Sequence, residues 1–202
     1  MESRCVPMTL LEMLYQQYGT NEPILLSEIT FEDYSRPWSG DLCKYEKGVY
    51  YVPTDTFFGK SILNPRKVIE KKYINDSRRI IGYYSGITLQ NQLKITTQMP
   101  NVLEIYTNNE SSKVREVTVG SQRVVLRRAR VEINRDNVPI LAFLELMNDI
   151  TPNMLDDDKK ERIAEYIGAN NISKKDILKY ASVFPDKVMR NLIESEAIFC
   201  VI

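Results

Sequence analysis

The sequence predicts an α+β chain: an N-terminal winged helix-turn-helix, then a mixed or antiparallel sheet domain with a helical C-terminal tail. Three observations predict it. Short stretches of helical spacing in the first fifty residues are followed by the β-branched and aromatic run Val49-Tyr50-Tyr51-Val52. The middle of the chain holds several alternating segments, two of them separated by the hairpin-length loop Gly120-Ser121-Gln122. From Asp156 onward, capping residues precede apolar stripes of period 3.6.

Taken in order, Met8 to Tyr18 places Leu10, Leu14 and Tyr18 on one line of a helix that Gly19 ends. Ile24 to Ile29 forms a second short helix. Ser35 and Pro37 open a third, running through Trp38, Leu42 and Tyr45 and closed by Lys47-Gly48. Val49 to Val52 is a strand stopped by Pro53, and Phe57-Phe58 returns antiparallel to it. Asn64-Pro65 starts a basic helix from Arg66 to Ile74. The expected organisation is therefore a head over 1–62, a linker helix over 63–76 and an α+β domain over 77–202. In that domain Ile80 to Tyr84 is a strand, Ser85 to Leu93 a helix, and Val102 to Thr107, Val114 to Val119 and Arg123 to Val131 are strands. Pro139 begins a helix through Leu141, Leu144 and Met147, apolar enough to be buried. The tail comprises Asp156 to Ile167, a helix capped by Ser173 with Asp176, and Pro185 to Glu196. Its core stripe is Ile163, Ile167, Ile177, Tyr180, Ala181, Phe184, Val188, Leu192 and Ile193.

Composition narrows the chemistry. The 202 residues contain no histidine, which excludes serine–histidine and cysteine–histidine catalysis. Cys5, Cys43 and Cys200 are odd in number and lack metal-site spacing, so neither a metal nor another cofactor is implied. Asp156-Asp157-Asp158 reads as the negative first turn of a helix, with Lys159 and Lys160 next to it. Glu104, Glu116 and Glu132 lie on or beside expected strands without the spacing of a known metal-dependent nuclease. No membrane-spanning run or signal peptide is read from the sequence, and the expected location is the cytoplasm. We therefore expect a protein that acts through surfaces, not an enzyme.

Those surfaces are charged unevenly. Residues 1–55 hold 4 basic and 9 acidic residues, residues 56–135 hold 15 and 6, and residues 136–202 hold 8 and 12. In the third helix and wing the candidates for DNA contact are Arg36, Trp38, Ser39, Lys44, Lys47 and Lys60, continued by Arg66 and Lys67. A head kept for protein contact is the alternative, since the segment is net acidic. A second candidate surface is Arg115 with Arg123, Arg127, Arg128 and Arg130. Strand alternation sends Arg128 and Arg130 to one face and Arg123 and Arg127 to the other. The run is either an anion-binding surface or an edge strand defended by charge.

One stretch is more distinctive than the rest: Gly82-Tyr83-Tyr84-Ser85-Gly86, then Asn91-Gln92-Leu93, then Thr96-Thr97-Gln98 and Pro100. With Gly48 to Pro53 and Phe58-Gly59 upstream and Lys179 to Ile193 downstream, it resembles the AbiEi-type antitoxins of bacterial type IV toxin–antitoxin systems. The resemblance implies a winged-helix head that represses its own promoter, and a C-terminal domain that opposes a nucleotidyltransferase toxin encoded beside it. It brings no catalytic residues. Members of that family usually carry glycine where this chain has Lys94, so this lysine must either adopt positive φ or change how the helix ends. For most of the motif the residue types point to a fold signature, with Gly82 and Gly86 at close approaches and the Thr-Thr-Gln run satisfying backbone groups at a corner.

Overall fold

The computed structural model describes residues 8–30, 33 and 42–201. The chain divides into two compact units, Met1–Lys71 and Lys72–Ile202.

In the first unit, α1 (Leu10–Tyr18) starts at a capping box: Thr9 Oγ1 accepts from the Glu12 N–H, and the Thr9 N–H donates to Glu12. Its Leu10 and Leu14 are buried with Ile24, Ile29 and Val52. The segment expected to be a second helix is instead a two-residue strand, β1 (Ile24–Leu25), followed by one 3₁₀ turn (Leu26–Glu28). Thr30 and Asp33 then exchange capping hydrogen bonds, with the Thr30 N–H donating to Asp33 at 2.8 Å. Most of the expected third helix, including Arg36, Trp38 and Ser39, lies outside the described residues. Its final part is corrected. Cys43–Glu46 is a strand, β2, paired antiparallel with β3 (Val49–Tyr51) through Cys43↔Tyr51 and Lys44↔Tyr50. Lys47-Gly48 is the hairpin turn between them, with Gly48 at φ 79°, and not a helix stop. β1 pairs with the other edge of β3, giving the antiparallel order β1-β3-β2.

Phe57-Phe58 does not return along β3. The two rings occupy the tip of a separate two-stranded hairpin, β4 (Asp55–Thr56) with β5 (Gly59–Lys60). Next comes α2 (Pro65–Tyr73), whose Val68 and Ile69 are fully buried. Lys67 pairs with Glu22, and Lys71 lies 2.7 Å from Glu28 with its ammonium 5.5 Å above the Tyr18 ring. The division between the two units falls inside this helix.

The second unit is built on a four-stranded sheet, β6 (Gly82–Ser85), β7 (Val102–Thr107), β8 (Val114–Val119) and β9 (Gln122–Arg128), in the order β6-β7-β9-β8. The central β7–β9 pair is parallel and the outer pairs are antiparallel, so the sheet is mixed, as expected. Register puts Tyr83, Ser85, Glu104, Tyr106, Arg123, Val125, Arg127 and Glu116 on one face. Leu103, Ile105, Val124 and Leu126 on the opposite face are at most 1% exposed.

α3 (Gly86–Gln92) follows β6 directly and packs on β6, β7 and α4 (Val138–Asp149). Ile140 to Met147 of α4 are all buried, because the helix lies between the sheet and the tail. That tail is α5 (Asp157–Ala169), α6 (Lys174–Ala181) and α7 (Lys187–Glu194). The expected capping box is present, with Ser173 Oγ accepting from the Asp176 N–H at 3.2 Å. Asn191 of α7 donates to the carbonyls of Met147 and Ile150, closing the C-terminal end of α4. Of the expected tail stripe, Ile193 departs: it is 61% exposed, one position past the buried Leu192.

Candidate functional site

Two groups of residues carry the candidate functions, one in each unit. In the first unit the β2–β3 hairpin presents Lys44, exposed on β2, and Lys47 in its turn. Among the described residues neither has an ion-pair partner. Lys60 ends β5 and is exposed. Arg66 is exposed on the first turn of α2, whereas Lys67 of the same helix is taken up by Glu22 and the Asn21 carbonyl. The structure thus separates the expected DNA-contacting cations into displayed ones (Lys44, Lys47, Arg66) and one that ties α2 to its own unit (Lys67). Lys71, which the sequence offers with Lys72 as a further cation of the wing and linker, has the same tying role.

In the second unit the arginine run is largely neutralised by nearby carboxylates. Arg115 Nε lies 2.7 Å from Glu110, which is buried. The Ser112 N–H and the Arg115 guanidinium together hold the Glu110 carboxyl below the usual range. Arg123 pairs with Glu116 and Arg127 with Glu104, at 3.2 and 3.1 Å on one sheet face. Arg130 sits past the end of β9 and does not extend the Arg128 face. Its guanidinium turns to Tyr106, on the Arg127 face, and reaches Glu145 at 3.2 Å. It also stacks 4.9 Å from the centre of the Phe184 ring. Arg128 alone of the five is exposed with no side-chain partner among the described residues.

Glu145 is the centre of this arrangement, and the apolar pattern of Leu141, Leu144 and Met147, which marks α4 for burial, does not reveal it. Only 2% exposed, it accepts from the Tyr106 hydroxyl at 3.1 Å and from Asn148 Nδ2 at 3.0 Å besides Arg130. Burial, with the Glu145 charge beside it, pushes the Tyr106 hydroxyl up to about 12. Tyr83 stacks on Tyr106 at 5.5 Å, and burial raises its hydroxyl as well. At the end of α4, Asp149 accepts from the Gly86 N–H at 3.2 Å. Burial, then the carboxylates of Glu145 and Glu104, push its carboxyl up to about 6.

The motif residues serve this framework. A Cβ on Gly82 would lie 2.0 Å from the Tyr73 carbonyl oxygen, so only glycine lets β6 pass there. Gly86 has φ 58°, and a Cβ would stand 2.4 Å from Glu104 Oε1, the carboxylate that holds Arg127. Ser85 is buried at the N-cap of α3. Asn91 Nδ2 donates to the Thr96 and Gln98 carbonyls, and Thr96 Oγ1 accepts from the Gln98 N–H. Thr97 is exposed on this corner and Pro100 leads into β7. Lys94 adopts φ 58°: the lysine takes the left-handed conformation itself.

Among the described residues no group of three or more acidic or cysteine side chains could hold a metal ion. Glu104 and Glu116 are each engaged by an arginine, and Glu132 is exposed in the loop after β9. No helix among the described residues is long and apolar enough to cross a membrane. No protein-family model, curated protein or solved structure matches the chain.

Proposed function

We propose that the first unit is a winged-helix DNA reader that represses its own promoter, and that the second is an antitoxin domain opposing a nucleotidyltransferase toxin. The observation that carries the DNA half is the β1-β3-β2 sheet behind α1, with Lys44 and Lys47 displayed on the hairpin that would be the wing. The lysines lie on the wing, so they hold phosphates and give register without sequence information. The antitoxin half rests on the family resemblance of the stretch from Gly82 to Pro100, in which Gly82 and Gly86 sit at close approaches and Asn91 holds the Thr96 and Gln98 carbonyls.

The DNA half is tested with the chain's own upstream DNA in a gel shift across a salt series. Lys44→Ala with Lys47→Ala should weaken binding by about tenfold and reduce the slope of log K against log salt by about 2, one unit for each lost phosphate contact. Binding unaltered by both changes would remove the wing from the interface. The antitoxin half requires that co-expression of this chain relieve growth arrest by the neighbouring nucleotidyltransferase, and persistence of the arrest would end it.

A second reading, a protein-interaction module that binds no DNA, is favoured by the pairing of Arg115, Arg123, Arg127 and Arg130 with carboxylates. Co-purification of a partner that survives nuclease treatment, with no shift of upstream DNA, would select it.

A further inference from the structure

The hairpin of β4 and β5 is an anomaly for a folded chain. Every residue from Asp55 to Lys60 is exposed, and its tip carries Phe57 and Phe58 at 97% and 95% exposure, with Ile62 just beyond at 86%. A two-stranded hairpin with no covering layer is marginal in water, and two adjacent bare phenylalanines are a strong apolar feature. The tip is nevertheless held in place. Asn21 donates to Thr54 Oγ1 and accepts from Ser61 Oγ, while the Thr54 N–H and the Tyr51 hydroxyl both donate to Ser61, each at 2.9 Å. Across the turn Thr56 Oγ1 donates to the Gly59 carbonyl at 2.6 Å. The rings meet edge to face, 5.3 Å apart. A hairpin ordered in this way before contact loses little freedom on docking.

We propose that this tip is a self-association element, packing against the same tip of a second copy of the chain. Three observations select a second copy. The tip is self-complementary in charge, because Asp55 and Lys60 face each other in register and the hairpin is neutral, so two copies approach without net repulsion. The hairpin leaves β3 at the end opposite the Lys47-Gly48 turn, so the cations displayed there do not flank it as they would flank a wedge for nucleic acid. The exposed area fits a weak symmetric contact: each Phe offers roughly 150–250 Å², so with Ile62 each copy contributes roughly 500 Å², below the about 800 Å² of a standard stable interface. Pairing by a two-fold axis sets the four rings against one another and closes the patch without generating a filament. This proposal stands whether or not the first unit binds DNA.

Sedimentation velocity on the full chain tests it. Between about 2 and 200 µM the sedimentation coefficient should rise from monomer toward dimer, with a dissociation constant on the order of 10–100 µM. Phe57→Ser with Phe58→Ser should remain monomeric over the same range, with an unchanged thermal midpoint because neither ring touches the core. The single change Phe58→Ser should fall between the two. A native chain that stays monomeric at every concentration would overturn the proposal, including the case where it captures a different protein through the tip. So would a double variant that dimerises like the native chain.

Discussion

Arg130 reads in the sequence as part of a basic interaction surface, and the structure turns its guanidinium inward onto the buried Glu145. The decisive perturbation is Arg130→Met, which keeps the length of the side chain and removes the guanidinium. Glu145 would then remain 2% exposed with only the Tyr106 hydroxyl and Asn148 Nδ2 as donors. Breaking a buried ion pair from one side costs about 3–5 kcal/mol. The Arg130 side chain is 27% exposed and two neutral donors survive, which places the cost near the lower end. The stacking on Phe184 adds a few tenths that methionine packing offsets. A loss of about 3 kcal/mol at pH 7.5 is expected, a fall in the urea midpoint of about 1.5 M for a slope near 2 kcal/mol/M.

That loss follows from the charge left behind, a buried carboxylate without its cation. Adding Glu145→Gln to Arg130→Met should recover about half of it, because a neutral amide can accept the same two hydrogen bonds at less cost in burial. Far-UV circular dichroism follows the whole chain. A loss below about 1 kcal/mol, or failure of the second change to rescue, would each refute the buried-pair argument. If Arg130→Met abolished antitoxin activity while leaving stability untouched, the residue would belong to a surface after all.

Two further perturbations separate local geometry from packing. Lys94→Gly should stabilise the chain by about 0.5–1 kcal/mol, the strain of a lysine at φ 58° less the greater freedom of an unfolded glycine, read as a rise in thermal midpoint. A lower midpoint would show that the Lys94 side chain contributes more than its backbone costs. Asp149, with its folded pKa at about 6 and an ordinary value of 3.8, binds its proton more tightly when folded, so it makes stability fall between about pH 4 and pH 6. Asp149→Asn should flatten that slope, and a carboxyl-carbon NMR titration of the native chain should place the midpoint well above 3.8.

How much was legible in the sequence depended on whether the local pattern and the long-range pairing agreed. They agreed where capping chemistry and apolar period coincided, as at Thr9 with Glu12 and Ser173 with Asp176, and along β7, β8 and β9. They disagreed at Leu42 and Tyr45, whose spacing fits a helical face. Cys43–Glu46 instead gains an antiparallel pairing with Val49–Tyr51, bulged at Tyr45, and Lys47-Gly48, which reads equally as a helix stop, supplies the turn. Ile24 to Ile29 misled for the same reason: Ile24 and Leu25 complete the other edge of β3, a partner more than twenty residues away that no local window contains.

The arginines carry the same lesson to the level of function. Alternation along β9 correctly places Arg123 and Arg127 on one face, but charge counting along the chain cannot find their carboxylates. Glu104 and Glu116 come from neighbouring strands, Glu110 from the turn before β8, and Glu145 from a helix fifteen residues beyond Arg130. The positive excess of residues 56–135 is therefore not a measure of displayed charge. Each arginine held by a carboxylate contributes little field beyond its partner, because the pair approaches a dipole whose potential falls more steeply than that of a single ion. Among the described residues the exposed cations without a carboxylate partner include Lys44 and Lys47 on the hairpin, Arg66 on α2, Arg128 at the end of β9, and Arg78, Lys94, Lys113 and Arg135 in turns and loops. A polyanion drawn to this chain meets those side chains first, and substitution of Arg130, mostly covered against the buried Glu145, should act on stability before it acts on binding.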